Sequence, residues 1–413
     1  MNRLFLLIVL TFANLLCGCN SLDEQGLHNA SCSPFLSAAA QLNDANKTFI
    51  YRCRYSDDCG GVGDRMAGVM GAAFFAIASE RSFRIQWHGL EHFFRPGHVN
   101  WTYDAESLGI PHLDENGQEL DHSKTRARQG QGEMQFPFPG VHNIAMFNDL
   151  NTRAISDPKK QKILERFTHI YFHSNRSPGM SIHNMTAKTI AGLINSSISI
   201  VEPTREGHYV AYRCLFNDIF QPTASFLNSS YKAIGYDAMP LQDVMAQMTS
   251  NGALSLAFHY RIDDTYAAAD NATATIDEET IQWLVLLSNN HSTNSIRLNL
   301  FFISNSPASA HKVLQHRDIQ AAYAHIFSQE LTGSRHINSA DAKNSTTTAV
   351  VTFQQAMQDW WIMKNADILV CGYSGFCMSA GIVASLSQIK YNEVLRTKEV
   401  FKPQVCSNRD CAR

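Results

Sequence analysis

Apolar and polar positions alternate between short apolar runs and longer stretches at helical spacing. Phe49-Ile50-Tyr51-Arg52 reads as a short strand, Met66 to Ser79 as a helix of small and apolar residues, and Ser82-Phe83-Arg84-Ile85-Gln86-Trp87 as an alternating strand. Between the first strand and the helix lies a glycine-rich turn, Cys59-Gly60-Gly61-Val62-Gly63-Asp64-Arg65. That order opens a parallel βαβ unit. From Arg95 to Asn148 the chain turns polar and is broken by Gly, Pro and His, which predicts a surface loop facing a partner molecule. Periodic structure returns with the strand His169 to His173, the helix Thr186 to Ile194 and the apolar stretch Tyr209 to Phe220, which Pro222 ends.

Ser230 to Pro240 reads as a boundary. Beyond it the alternation is regular: strand Leu254 to His259, helix Asp277 to Leu287, strand Ile296 to Ile303, helix Ala308 to Gln315, and a polar stretch through Ser345. Helix Phe353 to Lys364, strand Asp367 to Val370 and helix Met378 to Leu386 complete the series. Strands alternating with helices of this length predict a mostly parallel sheet with right-handed crossovers. A chain of 413 residues exceeds the size at which one core stops growing, so two α/β domains are expected. The expected division is a leader at 1–19, an N-terminal α/β domain at 20–240, a C-terminal Rossmann-like domain at 241–392 and a cysteine-containing tail at 393–413.

The formal net charge of -3 offers no basic field for nucleic acid, so an anionic ligand must be held by a few local cations. Met1-Asn2-Arg3 followed by Leu4 to Leu16 reads as a signal peptide, with a signal anchor, and so a type II membrane attachment, as the alternative. Leu16-Cys17-Gly18-Cys19 resembles a bacterial lipobox. Against it stand Asn-x-Ser/Thr acceptors at Asn29, Asn46, Asn100, Asn184, Asn195, Asn228, Asn271, Asn290 and Asn344, which favour a eukaryotic secretory lumen, Golgi or ER, and a secreted glycoprotein if the leader is cleaved. Of ten cysteines, the eight beyond the leader suggest disulfides, with local closures Cys53–Cys59, Cys371–Cys377 and Cys406–Cys411 as the expected pairs. Their spacings are not those of zinc sites.

Candidate chemistry gathers at two strand ends. Phe258-His259-Tyr260-Arg261-Ile262-Asp263-Asp264-Thr265 follows an apolar run, which puts Arg261 where open α/β sheets bind ligands and where a guanidinium fork suits phosphate. The plain alternative is an ion pair of Arg261 with Asp263 or Asp264. Cys371-Gly372-Tyr373-Ser374-Gly375-Phe376-Cys377 leads from a strand into a helix, offering a hydroxyl and unshielded N–H groups at a helix start. The glycine turn at Gly60 to Arg65 is neither a dinucleotide fingerprint nor a Walker loop, and glycines kept for helix packing are its alternative explanation. Trp360-Trp361 reads as a core contact on a helix, and His98, His112, His122 and His142 as surface residues.

In order and content these segments resemble the GDP-fucose-dependent fucosyltransferases. Gly60 to Arg65 is similar to the family's glycine-rich first motif, His259 to Asp264 to its His-x-Arg-x-Gly-Asp motif, and Ala366-Asp367 through Ser374-Gly375-Phe376 to its C-terminal Ser-x-Phe-Ser element. The resemblance, spanning Cys53 to Ser387, implies an inverting glycosyltransferase of the GT-B kind: two Rossmann-like domains with a donor cleft between them. It implies GDP-fucose as co-substrate, no metal, a glycan or glycoprotein acceptor, and transfer to a glycan or protein hydroxyl. Arg261 would bind the diphosphate and stabilise the leaving GDP. His259 would position the donor, Asp367 would border the guanine pocket, Ser374, Gly375 and Phe376 would contact the donor, and Gly61, Gly63, Asp64 and Arg65 would close over it. For the acceptor base the candidates are Asp264 and Asp64. Asp263 stands where the family has glycine, Ser304-Asn305 where relatives carry an acidic residue, and Cys377 where the motif has serine. A transferase using another nucleotide sugar, a metal-bound Asp263-Asp264 site and a non-catalytic carbohydrate-binding protein are the competing expectations.

Overall fold

The computed structural model describes residues 43, 46–53, 61–78, 81–87, 89–109, 134–135, 141–145, 168–173, 213–248, 253–261, 275–291, 297–330, 346–372, 375–384, 392–395 and 403–405. The leader, the helix expected at Thr186 to Ile194, and the closures at Cys59 and at Cys406–Cys411 lie outside these residues.

Two mostly parallel sheets organise the chain. The first contains β1 (Thr48–Cys53), β2 (Ser82–Trp87), β3 (Met134–Gln135), β4 (Val141–Ala145) and β5 (His169–His173), in the order β2-β1-β5-β4-β3, with only the β3–β4 pair antiparallel. β1 is buried along its whole length because both faces are covered. Phe49, Tyr51 and Cys53 join the main core, and Ile50 packs with Tyr171 on the other side. A strand covered on both faces cannot alternate apolar with polar, so its run is nearly continuous. The stretch expected as a surface loop is corrected here: β3 and β4 come from it, and Val99 and Trp101 are buried. Polar His142 and Asn143 inside β4 hide the pattern.

The helix α1 (Val62–Ala78) follows β1 and begins four residues before the predicted start at Met66. Gly63, Asp64 and Arg65 are thus its first turn and not a loop. After an antiparallel pairing of Phe94–Pro96 with Phe220–Pro222, residues 213–222 lead into the linker, where Thr223 caps a short helix by accepting from the Phe226 N–H at 3.0 Å.

The second sheet contains β6 (Leu254–Tyr260), β7 (Leu298–Ser304), β8 (His325–Phe327), β9 (Ile368–Gly372), β10 (Asn392–Leu395) and β11 (Pro403–Val405). Its order, β8-β7-β6-β9-β10-β11, is the 3-2-1-4-5-6 order of the Rossmann sheet, antiparallel only at β10–β11. Helices α2 (Glu278–His291), α3 (Pro307–Gln315) and α4 (Arg317–Ala322) cover the face that presents Leu256, Phe258, Leu300, Phe302 and Val370. Asp277 starts α2 by accepting from the Thr280 N–H at 2.7 Å and the Thr280 hydroxyl at 2.9 Å.

The opposite face, with Ala257, Phe301, Ile303, Leu369 and Cys371, meets α5 (Thr346–Asn365) and α6 (Gly375–Val383). That side does not close on itself. One core cluster runs from Phe49, Met66 and Trp87 through Phe216 and Tyr231 to Trp360, Trp361 and Cys377. Phe353 of α5 meets Trp87 at 5.6 Å and Phe93 at 5.1 Å, and Trp361 meets Phe94 at 5.7 Å, all edge-on or tilted. The Trp360-Trp361 pair is core, with the Trp360 indole donating to the Ser379 hydroxyl at 2.9 Å. Among the described residues no helix is long and apolar enough to cross a membrane.

Candidate functional site

β6 and β9 are neighbours, paired from Leu256 with Ile368 to His259 with Cys371. They are the first and fourth strands of the Rossmann order, so the crevice beyond their carboxyl ends is the topological switch point. Connections run off in opposite directions on either side of it, which is where open α/β sheets bind ligands. Arg261 is the first residue after β6 and is half-buried at that edge. Gly375, three residues after the end of β9, starts α6 at the same edge. His259 is 5% exposed, and its ring lies 5.5 Å from that of Phe376. The structure therefore brings the rings of His259 and Phe376 together and places Arg261 and Gly375 at the same edge of the sheet; Asp264 and Ser374 lie outside the described residues.

The first turn of α1 reaches the same place from the other half. A Cβ on Gly63 would stand 2.3 Å from the Cα of Phe376 and 2.7 Å from the carbonyl oxygen of Gly375, so only glycine permits this backbone contact. Gly63 thus serves helix packing at the crevice. One Asp64 oxygen accepts from the Gly61 N–H at 3.3 Å, and the other lies 3.2 Å from where a Gly375 Cβ would be. That carboxylate sits at the head of α6 and complements its positive end, an effect worth about 0.3–1 kcal/mol. Arg65 is buried, its guanidinium 5.7 Å from the rings of both Trp87 and Phe353. It is held between aromatic faces at the seam of the two halves.

Asp367 stands apart from the other candidates. It precedes β9, at the amino edge of the sheet, and its carboxylate accepts from the Ser255 N–H and the Ser255 hydroxyl, both at 2.8 Å, while its own N–H donates to that hydroxyl at 3.0 Å. The five residues of β9, about 16 Å at the usual rise, separate it from the edge where Arg261 stands. Asp367 fastens the start of β9 to β6. Sequence reading also missed Ser255, whose signal is a lone polar residue inside an apolar strand, and Phe353, which carries no signal.

Cys371 and Cys377 form a disulfide across the β9–α6 turn, as their spacing predicts. Cys53 and Cys214 each take part in a disulfide with a cysteine outside the described residues. At the end of β6 the phenol of Tyr260 is pushed above its ordinary value by burial first and by the Asp277 charge second. Lys364, close to the end of α5, is buried beneath Phe216 and Trp361, its ammonium 5.3 and 4.8 Å from their rings. Burial, with the charge of Arg213 adding to it, lowers the Lys364 ammonium to about 8. Among the described residues no group of three or more His, Cys, Asp or Glu side chains is placed to hold a metal.

No protein-family model matches the chain, and no curated protein matches it in sequence. Among solved structures it is similar to an Arabidopsis thaliana FUT1 mutant in complex with GDP, with 10% identity and a TM-score of 0.49 over 89% of this chain and 75% of that one. It is similar to a NodZ alpha-1,6-fucosyltransferase soaked with GDP-fucose, with 11% identity and a TM-score of 0.42 over 84% of this chain and 94% of that one. It is similar as well to the fucosyltransferase NodZ from Bradyrhizobium, with 12% identity and a TM-score of 0.39 over 83% of this chain and 94% of that one.

Proposed function

We propose that the chain is a glycosyltransferase that moves fucose from GDP-fucose to a hydroxyl of a glycan or glycoprotein, with inversion at the sugar carbon. One observation carries the reading: Arg261 leaves β6 beside the start of α6, at the switch point of a Rossmann-ordered sheet. A guanidinium fork at the edge of such a crevice suits a diphosphate, while the head of α6 beside it carries the Asp64 carboxylate. The acceptor oxygen attacks the anomeric carbon from the side opposite the leaving group, the bond from that carbon to the phosphate oxygen breaks, and both electrons leave with GDP. Arg261 offsets the charge that grows on the departing diphosphate, a role in which one well-aimed donor is worth about 10²–10³ in rate. The acceptor proton passes to a carboxylate, for which we assign Asp264, three residues beyond Arg261. Asp64 already complements the head of α6, which argues against it as that base.

Because Arg261 supplies the countercharge, turnover is expected to survive chelation by EDTA. The disulfide and the exposed acceptors Asn46, Asn100 and Asn228 support a place in the secretory lumen, Golgi or ER. A thermal-shift screen against GDP, UDP and CMP tests the donor class: a ligand at 100 times its Kd stabilises by about 2.7 kcal/mol. Stabilisation by GDP alone is the expected outcome. A shift with UDP instead moves the donor to another nucleotide sugar, and no shift with any of the three leaves a non-catalytic binding protein.

A further inference from the structure

We propose that Arg213 and Lys364 together hold a small monovalent anion of the chloride type, buried at the seam of the two halves and apart from the donor crevice. The proposal does not depend on the reading of the chain as a transferase. Arg213 is 1% exposed, and among the described residues none of its three guanidinium nitrogens finds a hydrogen-bond partner. A guanidinium keeps its proton, so a whole charge and five N–H donors are buried with it. Other buried arginines of the fold are provided for: Arg65 lies between the rings of Trp87 and Phe353, and Arg81 donates to the Thr168 carbonyl at 3.1 Å. An unanswered buried cation is costly enough that the folded chain needs something opposite it.

Lys364 brings a second cation to the same place. Its ammonium stands 5.3 Å from the ring of Phe216, which lies three residues after Arg213 on the helical stretch 213–219 and so on the same face, and the charge that acts on it is the like charge of Arg213. Aromatic rings wall the pair: Trp361 lies 4.8 Å from the ammonium, and Phe216 meets Trp360 at 5.6 Å. Arg213 forms the inner side, and Lys364, 8% exposed, the side nearer water. Two cations forced together under such rings are reconciled by one anion between them. The cost of stripping water from an ion grows with the square of its charge, so the walls favour a halide over sulfate or phosphate. Arg213 comes from the stretch that leaves the first half and Lys364 from α5 of the second, and the ion therefore ties the halves together.

The test compares thermal unfolding of the full chain in sodium chloride and in sodium gluconate at equal ionic strength, gluconate being too large for a closed site. The pH is held about one unit below the Lys364 value of about 8, where the lysine keeps its proton. Chloride is expected to raise the wild-type Tm by about 2–4 °C in a saturable manner, and Arg213→Met to melt at one temperature in both salts. Equal melting of the wild type in the two salts overturns the proposal and leaves the guanidinium to water or to a carboxylate of the chain itself. A chloride shift that persists in Arg213→Met is a general salt effect and overturns it too. Should that variant not fold, crystals of the wild type soaked in bromide decide the matter: an anomalous peak between Arg213 and Lys364 supports the site, and no peak there refutes it.

Discussion

The two ends of the second sheet carry polar side chains in equal prominence and use them for opposite purposes. At the amino edge, Asp367 and Ser255 satisfy each other with three hydrogen bonds of 2.8 to 3.0 Å, and the pair is spent on joining β9 to β6. At the carboxyl edge Arg261, the glycine turn and the head of α6 converge on the gap left by the strand order. A parallel sheet imposes this asymmetry, because its crossovers leave the switch point at one edge only. Polar residues at the two ends of one strand thus predict stability at one and chemistry at the other.

Substitutions at the two ends should therefore separate activity from stability. The largest effect is expected from Arg261→Ala: GDP release falls by about 10²–10³, roughly 2.7–4 kcal/mol of barrier, while the urea midpoint stays close to wild type. A variant that keeps full turnover removes the arginine from the mechanism. Gly63→Ala comes next and should blur the contrast, because its methyl group drives into the Phe376 backbone. A loss of roughly 1–3 kcal/mol of stability is expected, with weakened GDP binding beside it. If the variant is as stable as wild type, the close approach of α1 to α6 is wrong.

Asp367→Ala is the converse of Arg261→Ala. It strands a buried Ser255 N–H and hydroxyl and should cost about 1–3 kcal/mol in denaturation while GDP affinity changes less than twofold. A large rise in Kd with stability intact would return Asp367 to the donor pocket. The smallest effect per step measured, a slope with pH, concerns Lys364, close to the amino edge. Its pKa falls from 10.5 to about 8 on folding, so between these values the unfolded chain binds a proton that the folded chain has released. Stability should accordingly rise with pH across that window, by at most about 1.4 kcal/mol per unit, and the penalty should be present in full below it. Urea titrations at several pH values should show this slope in wild type and its reduction in Lys364→Met; equal slopes in the two proteins would refute the assignment.

Central features of the fold were legible because burial writes them plainly. β1, β6 and β7 are apolar runs, and Asp277 announces α2 with its capping side chain. β4 was not legible, since His142 and Asn143 interrupt its five residues, and neither was the start of α5, where Thr346 to Thr348 and Val350-Val351 are β-branched and favour strand over helix. At the site, Arg261 and Gly375 stand at the edge that the order of apolar run and polar turn indicates. Asp367 stands before its run, Ile368 to Val370, and that order places it at the far edge. The start of α1 was misread because glycine is a poor helix former, and what favours it at Gly63 is a neighbour more than three hundred residues away in sequence.

The uninterrupted seam of aromatic rings between the halves has a practical consequence for dissection of the protein. A fragment beginning after Pro240 would carry α5 and α6 without their cover, exposing Phe353, Trp360, Trp361 and the methionines beside them to water. Such a fragment should precipitate or self-associate. Neither lobe is therefore a detachable module, and a truncation that stays monomeric and soluble would have to recruit a substitute lining from elsewhere in its own chain.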